Sequence, residues 1–227
     1  MALSRRSLLT LRLPQRDAPA RAPRPYLLPD GAPALMAALE PLGALLREIA
    51  GEGAVDLSAG AHTQLDALAY GDQSAEAVVS VLGVALAPRP RRAGRELLRV
   101  LRPGGLLAIA VPTPRSLVAR TLLMTGYDGP SPLLWGDEET ARGRLPGAEV
   151  ESRRHTVRLV FESLAAAWEG VAVPFGVPAG SRARYDELVA TYSPGAGEVS
   201  MQDNWQIVLA RRAPERPLYT GRPACPR

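Results

Sequence analysis

Residues 77–111 constrain the fold most. Ala77-Val78-Val79-Ser80-Val81-Leu82 is an apolar, β-branched run suited to a strand covered on both faces. Residues 91–101 follow at helical spacing. Ala93, Leu97, Leu98 and Leu101 share one stripe, and Arg91, Arg92, Arg95, Glu96 and Arg99 lie off it. Arg102-Pro103-Gly104-Gly105 ends the helix and turns the chain into a second apolar run, Leu106-Leu107-Ala108-Ile109-Ala110-Val111. Strand, helix, turn and strand make a βαβ unit, so the chain builds a parallel sheet with a right-handed crossover.

The flanking elements fit the same plan. Residues 33–50 form an amphipathic helix that Pro41 kinks or divides, and Gly51 and Gly53 end it. Ala54-Val55-Asp56-Leu57 reads as a short strand before the small residues Ser58-Ala59-Gly60-Ala61. Helices are expected at 116–124, from Gly136-Asp137-Glu138-Glu139 onward, at 163–169 and at 181–192. Residues 155–161 alternate as a strand, and 204–211 read as a last strand. The ends, 1–32 and 213–227, are rich in Arg and Pro and read as tails around a domain at 33–212.

All 27 positive side chains are arginine, against 23 acids, for a net charge of +4. The arginines are scattered and no aromatic residues interleave with them as a stacking surface requires, so nucleic acid is not an expected partner. Cys225 is the sole cysteine, which rules out an intrachain disulfide and fits a reducing compartment. His62 and His155 have no ligand-spaced partners, so no metal site is expected. Ser4-Arg5-Arg6-Ser7-Leu8-Leu9 has the look of a twin-arginine signal, but Arg12, Gln15, Arg16 and Asp17 interrupt the apolar stretch such a signal needs. An organellar transit peptide is the alternative for this Arg-rich start. The expectation is a cytoplasmic protein, with no run long enough for a membrane span.

The stretch VVSVLGVALAPRPRRAGRELLRVLRPGGLLAIAVPTP, residues 78–114, resembles the middle of a class I S-adenosylmethionine-dependent methyltransferase of the ubiquinone/menaquinone type. SPLLWGDEETARGRL and NWQIVLARR resemble further parts of one branch, and the likeness extends over 52–212. The resemblance implies a Rossmann-like sheet, mostly parallel, with an antiparallel last strand and helices on both faces. It implies S-adenosylmethionine as cofactor and a small molecule as methyl acceptor. Cofactor contacts would fall on Asp56, Ser58, Gly60, Gln64, Leu65, Ser80, Leu82 and Gly83. Trp135 and Tyr127 would line an acceptor pocket, although Trp135 could equally cap the core. No catalytic residue is singled out. Such an enzyme holds donor and acceptor in line and excludes water, so positioning does much of the work.

The chain departs from this family where the cofactor should bind. The first-strand motif is close to Asp-x-Gly-x-Gly-x-Gly. Here Asp56-Leu57-Ser58-Ala59-Gly60-Ala61-His62 keeps one glycine, with Ser58 and His62 at the other two positions. His62 reads either as a repurposed contact or as an exposed loop histidine. Gln64 stands where an adenine-contacting Asp is usual, Asp72 and Ser74 match, Glu76 replaces an Asp, and Asp66 reads as a solvated loop acid. Val78 comes only 21 positions after Leu57. Two further strands with their helices cannot fit, since each βαβ unit takes roughly 30 residues or more. One direct crossover can. In this family the second and third strands lie on one outer side of the sheet, so their loss leaves a continuous sheet with a new edge, and removes the acid that binds the ribose. Two functions remain in view: methyl transfer with an impaired cofactor site, and a non-catalytic methyltransferase-fold subunit. The latter would pair with a homologue or a second copy through the exposed edge. A truncated or disturbed reading frame is a third account of the same departures.

Overall fold

The computed structural model describes residues 32–59, 64–126, 131–193 and 197–214. Their sheet has five strands: β1 (Val55–Asp56), β2 (Ala75–Val81), β3 (Leu101–Pro112), β4 (Ala148–Phe161) and β5 (Val199–Arg212). The order across the sheet is β1-β2-β3-β5-β4. β1, β2 and β3 are parallel, and β5 runs antiparallel between β3 and β4. The expected direct crossover is present: Val55 of β1 sits opposite Val78 of β2, with 64–74 as connecting loop, and β1 is an edge.

Helices form where the apolar spacing places them. The expected break at Pro41 separates α1 (Pro33–Ala38) from α2 (Glu40–Ala50). The proline sits in the first turn of α2, where its missing N–H costs nothing. α2 packs on β2 and β3 through Leu42 and Leu46. α3 (Pro90–Val100) buries Ala93, Gly94, Leu97 and Val100 and packs against β3 and α5. Val78, Val79, Ser80 and Val81 are all buried, as a strand covered on both faces requires.

The Arg-Pro-Gly-Gly segment departs from its reading as a turn. It belongs to β3, as a bulge. Ala75 pairs with Leu101 and Ala77 with Leu106, so β3 advances five residues while β2 advances two. Gly104 absorbs the bend at φ +78°, a backbone region costly for any side chain. At Gly105 a Cβ would lie 2.9 Å from the carbonyl oxygen of Glu76.

Two capped helices follow β3 in the chain. α4 (Leu117–Met124) is N-capped by Ser116, whose Oγ accepts from the Ala119 N–H at 3.1 Å. α5 (Glu138–Arg144) is capped by Asp137, and the hydrogen bonds from Thr140 hold its carboxyl below the usual range. Between β4 and β5 the chain makes α6 (Leu164–Ala167), a π-helical turn (Trp168–Ala172) and α7 (Arg182–Ala190). Trp168 and Tyr185 meet edge to face at 5.3 Å, and the Tyr185 hydroxyl donates to the Ala167 carbonyl at 2.9 Å. The upper part of the β4–β5 hairpin buries Val157, Leu159, Phe161, Met201, Asp203 and Trp205.

Candidate functional site

The ends of β1 and β2 bring Asp56, Ser58, Ser80, Leu82 and Gly83 together. Leu57 N–H donates to Val79 O at 2.8 Å and Ala59 N–H to Val81 O at 2.9 Å, extending the ladder past β1. The Ser80 hydroxyl is buried. It donates to Leu57 O at 2.7 Å and accepts from Val84 N–H at 3.0 Å. Ser58 Oγ accepts from Val81 N–H at 2.9 Å. Ser58 N–H, which points away from the sheet, donates to Asp56 Oδ1 at 2.8 Å. The other Asp56 oxygen lies 3.8 Å from the Arg47 guanidinium. Gly83 packs directly on this strand end: a Cβ there would collide with the Leu57 carbonyl oxygen. Leu82 is fully buried at φ +64°, a strained conformation for a non-glycine residue.

The remaining sequence-predicted positions scatter. Gln64 is exposed and Leu65 is buried. Gly60, His62 and Tyr127 lie outside the described residues, as does Cys225. Trp135 is 0% exposed in a 3₁₀ turn, Pro132–Trp135, with the Arg144 guanidinium stacked 4.8 Å from its ring. The indole N–H of Trp135 and one terminal nitrogen of Arg144 are buried without a hydrogen-bond partner. Burial pulls the Arg144 guanidinium below its ordinary value, and the nearby Arg91 charge adds to this.

The loop that stands in for the missing strands is tied to α3, and the sequence reading missed the residues that tie it. Arg99 donates to Tyr70 O at 2.8 Å, to Leu68 O at 3.0 Å and to Asp72 Oδ1 at 2.7 Å. Glu96 accepts from Leu68 N–H at 3.2 Å, and its hydrogen bonds from Arg99 hold its carboxyl below the usual range. Asp66 is not the solvated acid expected. Its residue is 8% exposed, its carboxylate is ion-paired with Arg89, and its carbonyl accepts from Arg92 Nε at 3.1 Å. Burial beside Arg89, the N-cap residue of α3, and Arg92 within it explains the difference. Arg92, Glu96 and Arg99 recur at helical spacing. That spacing, opposite Asp66 and Asp72, was the available signal.

Asp203 is a second buried acid. Its carboxylate accepts from Leu117 N–H at the start of α4 and from the Trp205 indole, both at 2.9 Å. Burial pushes it up to about 6, against those two stabilising hydrogen bonds. Among the described residues no cluster of His, Cys, Asp and Glu could hold a metal ion, and no helix is long and apolar enough to cross a membrane.

Three parallel strands followed by an antiparallel hairpin, with helices joining them, define a Rossmann-like α/β protein of the methyltransferase type. Residues 42–109 match the family described as a methyltransferase domain. A Bacillus halodurans protein assigned as a methyltransferase superposes with a TM-score of 0.50 at 14% identity, covering 75% of this chain and 98% of its own. The YcgJ protein of Bacillus subtilis gives 0.43 at 14% identity, over 66% of this chain and 68% of its own. An S-adenosylmethionine-dependent methyltransferase of Thermotoga maritima gives 0.41 at 12%, over 82% and 91%. No curated protein matches the sequence at a significant level. The chain has the fold of the methyltransferases, and the family match lies on its residues 42–109.

Proposed function

We propose that this chain keeps the methyltransferase scaffold as a binding subunit, with a cofactor site too impaired to support methyl transfer. The observation that carries this reading is the position of β1 at the sheet's edge. Among the described residues no strand stands beyond it to bring a carboxylate to a ribose. The polar groups assigned to cofactor contact are also committed elsewhere. Asp56, Ser58 and Ser80 hydrogen-bond within the chain, and Leu65 and Leu82 are buried. These residues do not fit S-adenosylmethionine, so no step of methyl transfer is derived through it. A methyltransferase homologue or a second copy is the partner such a subunit calls for. Pairing through β1 is disfavoured, because Asp56 already takes the outward N–H of Ser58.

A second reading, an active cytoplasmic methyltransferase for a small-molecule acceptor lined by Trp135 and Tyr127, is favoured by the family match, which spans the cofactor segment. Titration calorimetry with S-adenosylmethionine separates the two. The scaffold reading expects no heat and no thermal stabilisation at about 1 mM ligand. Micromolar binding with a matching rise in melting temperature would overturn it in favour of the enzyme.

A further inference from the structure

The far edge of the sheet, β4, is treated differently along its two halves. Ser152 N–H donates to Glu138 Oε1 at 3.0 Å, and Val150 C=O accepts from Arg142 Nη2 at 3.2 Å. Even-numbered residues of β4 therefore turn their N–H and C=O groups away from β5. Glu138 and Arg142 are themselves paired at 2.7 Å, so α5 closes the edge at 150–152. Along 154–160 no described group takes the outward backbone groups of Arg154, Thr156, Arg158 or Val160. Arg153, Arg154, Thr156 and Arg158 are exposed, and Val160 is 44% exposed. Arg158 reaches only the Ser200 hydroxyl, and Arg153 and Arg154 have no acidic partner among the described residues. A cavity of about 510 Å³ adjoins this half-edge, with Ala34, Ala37, Val160 and Phe161 as apolar floor and Arg158 and Glu162 also lining it.

We propose that residues 154–160 and the adjoining cavity dock an extended acidic segment of a partner protein, added to the sheet as a further strand. Unpaired edge groups supply main-chain hydrogen bonds, and side chains at alternate positions give selectivity. Acidic residues opposite Arg154 and Arg158 share their face, and an apolar side chain beyond them enters the cavity. Charge argues against the other occupants. The chain's own N-terminal segment carries Arg5, Arg6, Arg12, Arg16, Arg21 and Arg24 against Asp17 and Asp30. A second copy paired about Val157 sets Thr156 opposite Arg158 and crowds the arginines of both strands onto one face. The self-complementary register is the one centred on Ser152, which matches Glu151 with Arg153, and α5 closes it. This inference shares with the scaffold reading only the need for a partner, and it stands whether or not S-adenosylmethionine binds.

The test is fluorescence anisotropy with the full chain and two labelled peptides, one alternating Glu with Val and one alternating Lys with Val. The Glu peptide is expected to bind and the Lys peptide not to. R154E/R158E reverses that preference. Thr156→Pro removes one outward N–H and leaves the β5 ladder intact, since proline is tolerated on an edge. It weakens Glu-peptide binding at least about tenfold with an unchanged melting temperature. Val160→Pro does the same two outward positions further along and serves if the first variant fails to fold. No binding of the Glu peptide at about 1 mM overturns the proposal. Folded proline variants that bind like the wild type overturn it too, reducing the contact to ion pairing. Single-stranded oligothymidylate that displaces the peptide and is indifferent to Thr156→Pro would assign the surface to nucleic acid instead.

Discussion

Asp203→Asn should change how the stability of this protein depends on pH. The Asp203 carboxyl rises from 3.8 to about 6 on folding, mainly through burial. A rise of about two pH units, at about 1.4 kcal/mol each, is worth about 3 kcal/mol. The folded-state value lies above the unfolded one, so the native protein holds a proton between pH 4 and 6 that the unfolded chain has lost. Stability from this group is therefore fully present below about pH 4, falls as pH rises to about 6, and is flat above. Asparagine does not titrate. It turns an amide NH₂ toward either Leu117 N–H or the Trp205 indole, which costs about 1–3 kcal/mol at every pH. The stability difference between Asp203→Asn and the wild type should accordingly shift by about 3 kcal/mol in favour of the variant from pH 4 to pH 7. Urea unfolding of both proteins across that range measures it, and the comparison cancels the other carboxyls. A difference that stays constant with pH would refute the reasoning, because the buried carboxylate would then carry no desolvation cost.

Three further outcomes follow from the same geometry. Gly83→Ala forces a methyl into the Leu57 carbonyl, and neither backbone can retreat without breaking the β1–β2 ladder. A loss of about 1–3 kcal/mol in thermal unfolding is expected, and an unchanged melting temperature would mean the close approach is soft. Arg99→Ala frees the carbonyls of Leu68 and Tyr70 and the carboxylates of Asp72 and Glu96. Amide exchange across 64–74, read at Leu68 above all, should quicken by about tenfold or more while that of β3 stays slow. Arg144→Met keeps most of the volume and removes a buried guanidinium that has no acid beside it. Denaturant unfolding should show no loss or a small gain, whereas a loss above about 2 kcal/mol would mean that stacking on Trp135 outweighs desolvation.

What the sequence made legible was whatever depends on local pattern. The 91–101 stripe and the two apolar runs around it gave α3 and β2 within a residue or two and the end of β3, whose start lies five residues earlier than expected. The 21-residue spacing from Leu57 to Val78 foretold that β1 would lie directly beside β2. Proline and glycine were less faithful guides. Arg102-Pro103-Gly104-Gly105 has the composition of a turn, but pairing of β2 with Leu101 before it and Leu106 after it holds it within a bulged strand. Residues joined only by folding were hidden. Asp66 looks like any loop acid until the start of α3 and its N-cap lay Arg92 and Arg89 over it. Asp203 sits in an alternating strand, and nothing in the sequence announces that α4 will start against its carboxylate. Asp56, Ser58, Ser80 and Gly83 were chosen by resemblance to a ligand site, and their proximity is real. The side chains of Asp56, Ser58 and Ser80 are taken by backbone groups of Ser58, Val81, Leu57 and Val84, which a motif cannot disclose.

The position of β1 also bears on which part of the molecule opens first. A strand laddered on one side only, two residues long and followed by a few more hydrogen bonds, separates at a lower free energy than the β2-β3-β5-β4 block. That block can close without it. The start of the cofactor motif, Asp56 to Ala59, interior to the sheet in the family this chain resembles, is here expected to be the first part of the sheet to open, at a cost set by exposing the buried Leu57.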